Sequence, residues 1–335
     1  MKQRDQSIDV LRGLALFIML FANAAPYLIN EQHPFYVRVM DSLAAPMFIS
    51  IAGYSILLSN PYNTTFLKNF KRGFAVIIMA VFIDVFIWKI SPFIGYDVLY
   101  IIGFSVLISP FFIKLKSYFL VIIALCIAIS AFVLQYFFYK NQIDDLPLNI
   151  ISFEVILNHL PSFLVYGWFP LFPWLSIFIF GYLFHKNESI IQQNWKAFYS
   201  IILIIIIALL LFVIYRQNKI VRGGYSELFY PMDIVFFTFS ICFLSLFFIN
   251  KSFFSNNYFK FLSFLGQHSM FVYLIHCLYI STALHWTIFK MNNTLFLRII
   301  VFYLIIYLLV LCIIQLKKWE KWPKNSFFLR FLFGS

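Results

Sequence analysis

Hydrophobic stretches of about 17 to 22 residues recur along almost the whole chain, parted by short polar joints. They lie near 9–29, 41–58, 73–91, 97–113, 117–138, 166–185, 197–215, 231–250, 263–284 and 295–316, and each can cross a hydrocarbon core as a helix. A helix satisfies its own backbone hydrogen bonds, the condition for lying in lipid. The pattern predicts an all-α polytopic membrane protein: about ten transmembrane helices in one bundle, a single domain over residues 1–335. Residues 139–165 are too polar to span and too apolar for a free linker. They are expected to fold as an amphipathic loop over the outer mouth.

Composition sharpens this reading. Of the residues, 63% are hydrophobic and 11% charged, against about 25% charged in a soluble domain. The net charge of +12 does not point to nucleic acid, because Lys and Arg gather in alternate joints. Lys68, Lys71 and Arg72 share one; Lys114 and Lys116, Lys186 and Lys196, and Lys251 and Lys260 mark others. Residues 317–335 form a basic tail. Positive charge marks the cytoplasmic side, which puts these joints and both termini there. One outer joint, with Arg216, Lys219 and Arg222, breaks the trend. Cys126, Cys242, Cys277 and Cys312 all lie in apolar spans, with neither disulfide nor metal spacing.

Lys2 and Arg4 before an apolar run, then Ala22-Asn23-Ala24, resemble a secretory signal with its cleavage site. The apolar run continues through Pro26, Tyr27, Leu28 and Ile29. The segment is therefore expected to stay as the first span.

That span carries an unusual polar row. Asp9 and Arg12 stand three apart, so they are neighbours on one helix face and can pair. Asn23 lies eleven beyond Arg12, close to three turns, on the same face and about 16 Å along the axis. His33 follows in the first outer joint, and Asp41 opens the next span. Lipid does not tolerate such a row, so the face must look into the bundle. The plainer alternatives are an interfacial anchor for Asp9–Arg12 and an interhelical hydrogen bond for Asn23. A carboxylate beside an imidazole makes a better base, and an amide can donate to an oxyanion; together these groups suit acyl transfer. Ala44, Ala45, Ala52, Gly53 and Ser55 suggest close helix packing around them.

Other polar residues are candidates too. Asp84 and Lys89 are five apart in the third span and read as a pair or as cavity-lining groups. His276, near mid-membrane in the ninth span, reads as lining a cavity. Glu154, His159 and Asp233 fall near the outer surface, as candidates for binding an acceptor.

The run S-I-D-V-L-R-G-L-A-L-F-I-M-L-F-A-N, then His33, then M-D-S-L-A-A-P-M-F-I-S-I-A-G-Y-S-I, resembles the catalytic region of the heparan-α-glucosaminide N-acetyltransferase family. It is also similar to related bacterial transmembrane acyltransferases. Val98–Gly103, the proline-rich Phe169–Trp174 leading to Gly181, and Gly266–His276 resemble further family segments, in order. The catalytic motifs fall within residues 4–58. The resemblance implies transfer of acetyl from cytosolic acetyl-CoA to an amino sugar or other glycan at the outer face, in a bacterial-type plasma (inner) membrane. It implies Asn23 and His33 as the catalytic pair, with the aspartate of the next span at Asp41. The wider superfamily carries Arg-x10-His, whereas the position eleven after Arg12 is Asn23; this departure moves the base to His33.

The expected mechanism draws the coenzyme's phosphates to Arg12, Lys68, Lys71 and Arg72 and lets His276 line the coenzyme's path. His33, oriented by Asp41, either deprotonates the acceptor or first takes the acetyl itself, and Asn23 steadies the oxyanion. No metal is implied, the partners are acetyl-CoA, the acceptor and membrane lipids, and a homodimer is one arrangement the chain could take. A transporter or flippase component for a glycan or lipid-linked substrate is the alternative. The lack of inverted repeats and of paired Gly/Pro-broken helices favours the enzyme.

Overall fold

The computed structural model describes residues 5–28, 34–58, 66–93, 97–138, 157–220, 232–282 and 295–319. Among them the secondary structure is helical, and a helix occupies each of the ten segments read as spans. The elements are α1 (Gln6–Leu28), α2 (Phe35–Leu58), α3 (Phe66–Phe82), α4 (Val98–Ile113), α5 (Ser117–Phe138) and α6 (Leu171–Lys186). There follow α7 (Glu188–Gln193), α8 (Trp195–Ile220), α9 (Ile234–Ile249), α10 (Lys260–Gln267), α11 (Ser269–Thr282) and α12 (Leu295–Trp319). Among the described residues, α1, α2 and α5 are long and apolar enough to cross a membrane unaided. The α4, α6 and α9 helices, and residues 195–211 of α8 and 299–312 of α12, are shorter apolar helices.

Local chemistry sets several helix starts. The Asp5 carboxylate accepts from the Ser7 amide at 3.0 Å, opening α1, and Asp97 accepts from the Val98 amide, opening α4. The α3 helix widens into a π-helix at Ile83–Trp88 and stops at Lys89, whose φ of 58° is left-handed. Within it the buried Asp84 carboxylate accepts the hydroxyl of Tyr100 on α4 at 2.5 Å.

The segment read as one span near 263–284 breaks. A turn at Asn257–Phe259 leads into α10, and α11 leaves at 71° after His268. His268 has left helical geometry (φ −107°, ψ 23°), and its amide closes back on Phe264 and Leu265. The break falls at the polar residues Gln267, His268 and Ser269. The second span also starts earlier than read, at Phe35, so Asp41 lies in the second turn of α2.

Two compact units make up the chain, Met1–Ala44 with Gly223–Leu228 and Phe254–Ser335, and Ala45–Arg222 with Phe229–Phe253. In the first, α1 is central, packing on α10, α11 and α12. Gly13 and Gly266 make that closeness possible. A Cβ on Gly13 would sit 1.8 Å from the Leu262 carbonyl oxygen, and one on Gly266 1.8 Å from that of Asp9. In the second unit α6 is central, packing on α4, α5 and α9 and burying Trp174, Phe178 and Tyr182. It meets α2 through a like pair: a Cβ on Gly53 would fall 2.0 Å from the Phe178 oxygen, and one on Gly181 1.9 Å from the Ser50 oxygen. Backbones this close are the small-residue mode of helix association in lipid. Gly266→Leu must push α1 and α10 apart. It should cost at least the roughly 1–3 kcal/mol of core overpacking, read as a lower melting temperature in detergent. An unchanged melt would mean that the crossing does not limit stability.

A polar knot ties the second unit where α2, α6, α7 and α9 end. The hydroxyl of fully buried Tyr54 donates to Glu188 Oε2 at 2.6 Å, and Lys251 Nζ lies 2.5 Å from Glu188 Oε1 and 2.8 Å from the Tyr54 oxygen. His185 Nδ1 stands 3.5 Å from the same carboxylate. Burial alone would raise the Glu188 pKa, but His185, Lys251 and Tyr54 outweigh it and hold the group down to about 2. A depressed folded pKa means that the carboxylate stabilises fully above its unfolded value, about 4.3, and that this is lost as pH falls through about 2. The melting-temperature gap between the protein and Glu188→Gln should therefore be constant above about pH 5 and close toward pH 2. A gap independent of pH in that window would remove Glu188 as its source.

Candidate active site

The polar row of α1 faces α10 and α11. Asp9 is buried and Arg12 Nη1 lies 3.1 Å from its Oδ1, the pair expected from their spacing. Arg12 remains partly open, its side chain 24% exposed. Asp9 also borders a polar cleft with Gln6, Asn257, Lys260, Ser263 and Gln267. This end of α1 therefore presents both charges and amides.

Fourteen residues further along the helix, about 21 Å by its rise, Asn23 meets His276 of α11. Asn23 Nδ2 and His276 Nε2 are 3.0 Å apart, and the imidazole is completely buried. The other ring nitrogen, Nδ1, is bonded to the Tyr273 carbonyl oxygen. A carbonyl can only accept, so Nδ1 carries the proton and Nε2 is left as the acceptor for the Asn23 amide. The Tyr273 ring lies edge-on to the imidazole at 4.9 Å. An amide and an imidazole inside apolar helices are thus held by a defined pair of hydrogen bonds. Nothing in the spacing could announce this, since the partners lie 253 residues apart.

The remaining candidates fall as follows. Asp41 is buried in α2 and borders an apolar groove with Phe17, Phe21 and Tyr303. Phe21 and Asn23 are two residues apart, about 200° around α1, so the groove and the Asn23–His276 pair occupy opposite sides of that helix. Lys68 and Lys71 are exposed on the first turns of α3, and Arg72 beside them is partly buried. His159 lies in a turn where its carbonyl accepts from the Phe163 amide. Asp233 caps α9, its Oδ1 accepting from the Phe236 amide at 2.7 Å, which gives this acceptor-site candidate a structural task. His33 and Glu154 lie outside the described residues. Among the described residues, no three His, Cys, Asp or Glu are grouped so as to hold a metal ion.

Residues 4–213 match the family model described as heparan-alpha-glucosaminide N-acetyltransferase, catalytic. The match takes in Arg12, Asn23, His33 and Asp41, while His276 and Asp233 lie beyond it. No curated protein matches the chain.

Proposed function

Because this chain belongs to the heparan-alpha-glucosaminide N-acetyltransferase catalytic family, we propose that it carries acetyl from cytosolic acetyl-CoA to an amino sugar or related glycan at the outer face of a bacterial-type inner membrane. Ten helical spans with both termini cytoplasmic give the topology. Arg12 takes a coenzyme phosphate, and Lys68, Lys71 and Arg72 add positive charge on the same side of the membrane. The acceptor's amine nitrogen attacks the thioester carbonyl carbon while His33 takes the amine proton. The C–S bond breaks, and that proton passes to the leaving CoA thiolate.

One observation carries the reading: Asn23 of α1 is bonded to fully buried His276 across the first unit. Polar groups within apolar helices are costly and mark sites of chemistry more often than packing. His276 occupies one N–H of the Asn23 amide and fixes its plane, leaving the second N–H for the developing oxyanion. His276 is in this reading a positioning residue. In this reading Asp41, which borders the groove on the far side of α1 from Asn23, acts on the His33 imidazolium and not on the Asn23 amide. Glu154 and His159 are the candidates for the acceptor, since Asp233 is engaged as a cap.

The test is direct. Purified protein should melt higher with acetyl-CoA or CoA than with unrelated nucleotides, and labelled acetyl-CoA should acetylate members of an amino-sugar panel. No shift with either CoA species, together with no transfer, would turn the reading toward transport.

A further inference from the structure

We propose that the polar cleft between the start of α1 and one face of α10 seats the adenosine 3′-phosphate end of acetyl-CoA, its base against Phe264 and its 3′-phosphate on Lys260. Given acetyl transfer from acetyl-CoA, on which this rests, the cleft decides which coenzyme is accepted. It has a volume of about 380 Å³, toward the lower end of small-molecule sites, and lies wholly within the first unit. Lys260, Ser263, Phe264 and Gln267 follow the spacing of one helix face and form its α10 wall. Gln6 and Asp9 of α1 and Asn257 complete it. The α10 residues and Asn257 lie beyond the 4–213 stretch that the family model matches.

The walls complement a purine nucleotide group by group. Among the described residues, the side-chain amides of Gln6 and Asn257 have no hydrogen-bond partner. Gln267 donates one N–H to Ser263 at 3.3 Å, which leaves its oxygen and second N–H. An amide offers a donor beside an acceptor, the complement of an adenine edge, and Phe264 supplies a ring on which a base can stack. Lys260 is exposed, and among the described residues no carboxylate pairs with it, so its ammonium is available to a phosphate. Asp9, the one acid on the wall, has its charge matched by Arg12 at 3.1 Å. Length fits as well. Arg12 follows Asp9 by one turn of α1 and precedes Asn23 by about 16 Å. The coenzyme's arm from sulfur to the nearer phosphorus has about 13 bonds and extends about 16 Å, at the per-bond rise of an extended backbone. A thioester at Asn23 therefore brings the diphosphate to Arg12 and the adenosine one turn further, into the cleft.

Calorimetry on the purified full chain with CoA, dephospho-CoA and 4′-phosphopantetheine tests this without an acceptor. Dephospho-CoA, which lacks the 3′-phosphate, should bind about tenfold more weakly than CoA. The 4′-phosphopantetheine, which lacks the nucleotide, should bind more weakly still. Lys260→Gln should weaken CoA about tenfold and leave dephospho-CoA unchanged, whereas a general loss of positive charge would weaken both. Asn257→Leu should weaken CoA and dephospho-CoA alike and spare 4′-phosphopantetheine. Both positions are exposed, so both variants should melt as the wild type does. Equal affinity of the wild type for CoA and dephospho-CoA, or CoA binding untouched by both substitutions, would overturn the subsite and leave acetyl transfer standing. Equal weakening of CoA and dephospho-CoA by Lys260→Gln would do the same. A wild type that binds none of the three would overturn acetyl transfer and the subsite together.

Discussion

Replacing His33 with alanine is expected to abolish measurable acetyl transfer while leaving acetyl-CoA binding nearly intact. A general base contributes about 10²–10⁴-fold. His33 stands ten residues after Asn23, between α1 and α2, where the family resemblance puts the acceptor end of the path. The coenzyme's phosphates are proposed at Arg12, toward the opposite end of α1, so losing the imidazole should not disturb them. Transfer from labelled acetyl-CoA and the CoA-induced melting shift, recorded on one preparation, separate the two effects. Asp41→Asn should be milder and should move the pH–rate profile, since the imidazolium loses a carboxylate that favours it. Wild-type turnover by His33→Ala would reassign the base, with His276 and then His159 as the next candidates.

Much of the fold was legible because hydrophobic length is a strong signal. The segment read as 117–138 is α5, residue for residue, and Gly53 among the flagged small residues makes a close helix crossing. What sequence could not show was which polar groups meet. Asp9 and Arg12 lie three apart on one helix and were readable. Tyr54, Glu188 and Lys251 form an equally definite cluster from separations of 134 and 197 residues, which no periodicity encodes. The break at His268 was hidden for a different reason. Gln267, His268 and Ser269 stand where the backbone turns, but three polar residues inside a long apolar stretch read as part of one span. Asp41 illustrates a third limit. Depth along a helix predicted its neighbours, but azimuth decides them, and its position beside Tyr303 depends on how α1 and α12 pack.

The Asn23–His276 bond invites a double-mutant cycle, because its two readings predict opposite kinetics. If Asn23 stabilises the oxyanion and His276 holds it in place, Asn23→Ala should lower kcat by about 10²–10³-fold. His276→Ala should approach that loss, because a freed amide rotates away from the acetyl carbonyl. The double variant should then be little worse than Asn23→Ala alone, since residues acting as a unit are strongly non-additive. If the bond merely joins two helices, each variant should keep wild-type kcat in the folded fraction. The cost would then appear in stability, about 0.6 kcal/mol on average for a hydrogen bond between membrane helices. Measuring kcat and melting temperature for all four proteins distinguishes the cases. His276→Gln sharpens the choice, because its amide oxygen can accept from Asn23 whereas alanine cannot. Partial recovery of kcat in His276→Gln over His276→Ala is the expected result. Equal activity in the two, both near wild type, would confine this bond to holding α1 against α11.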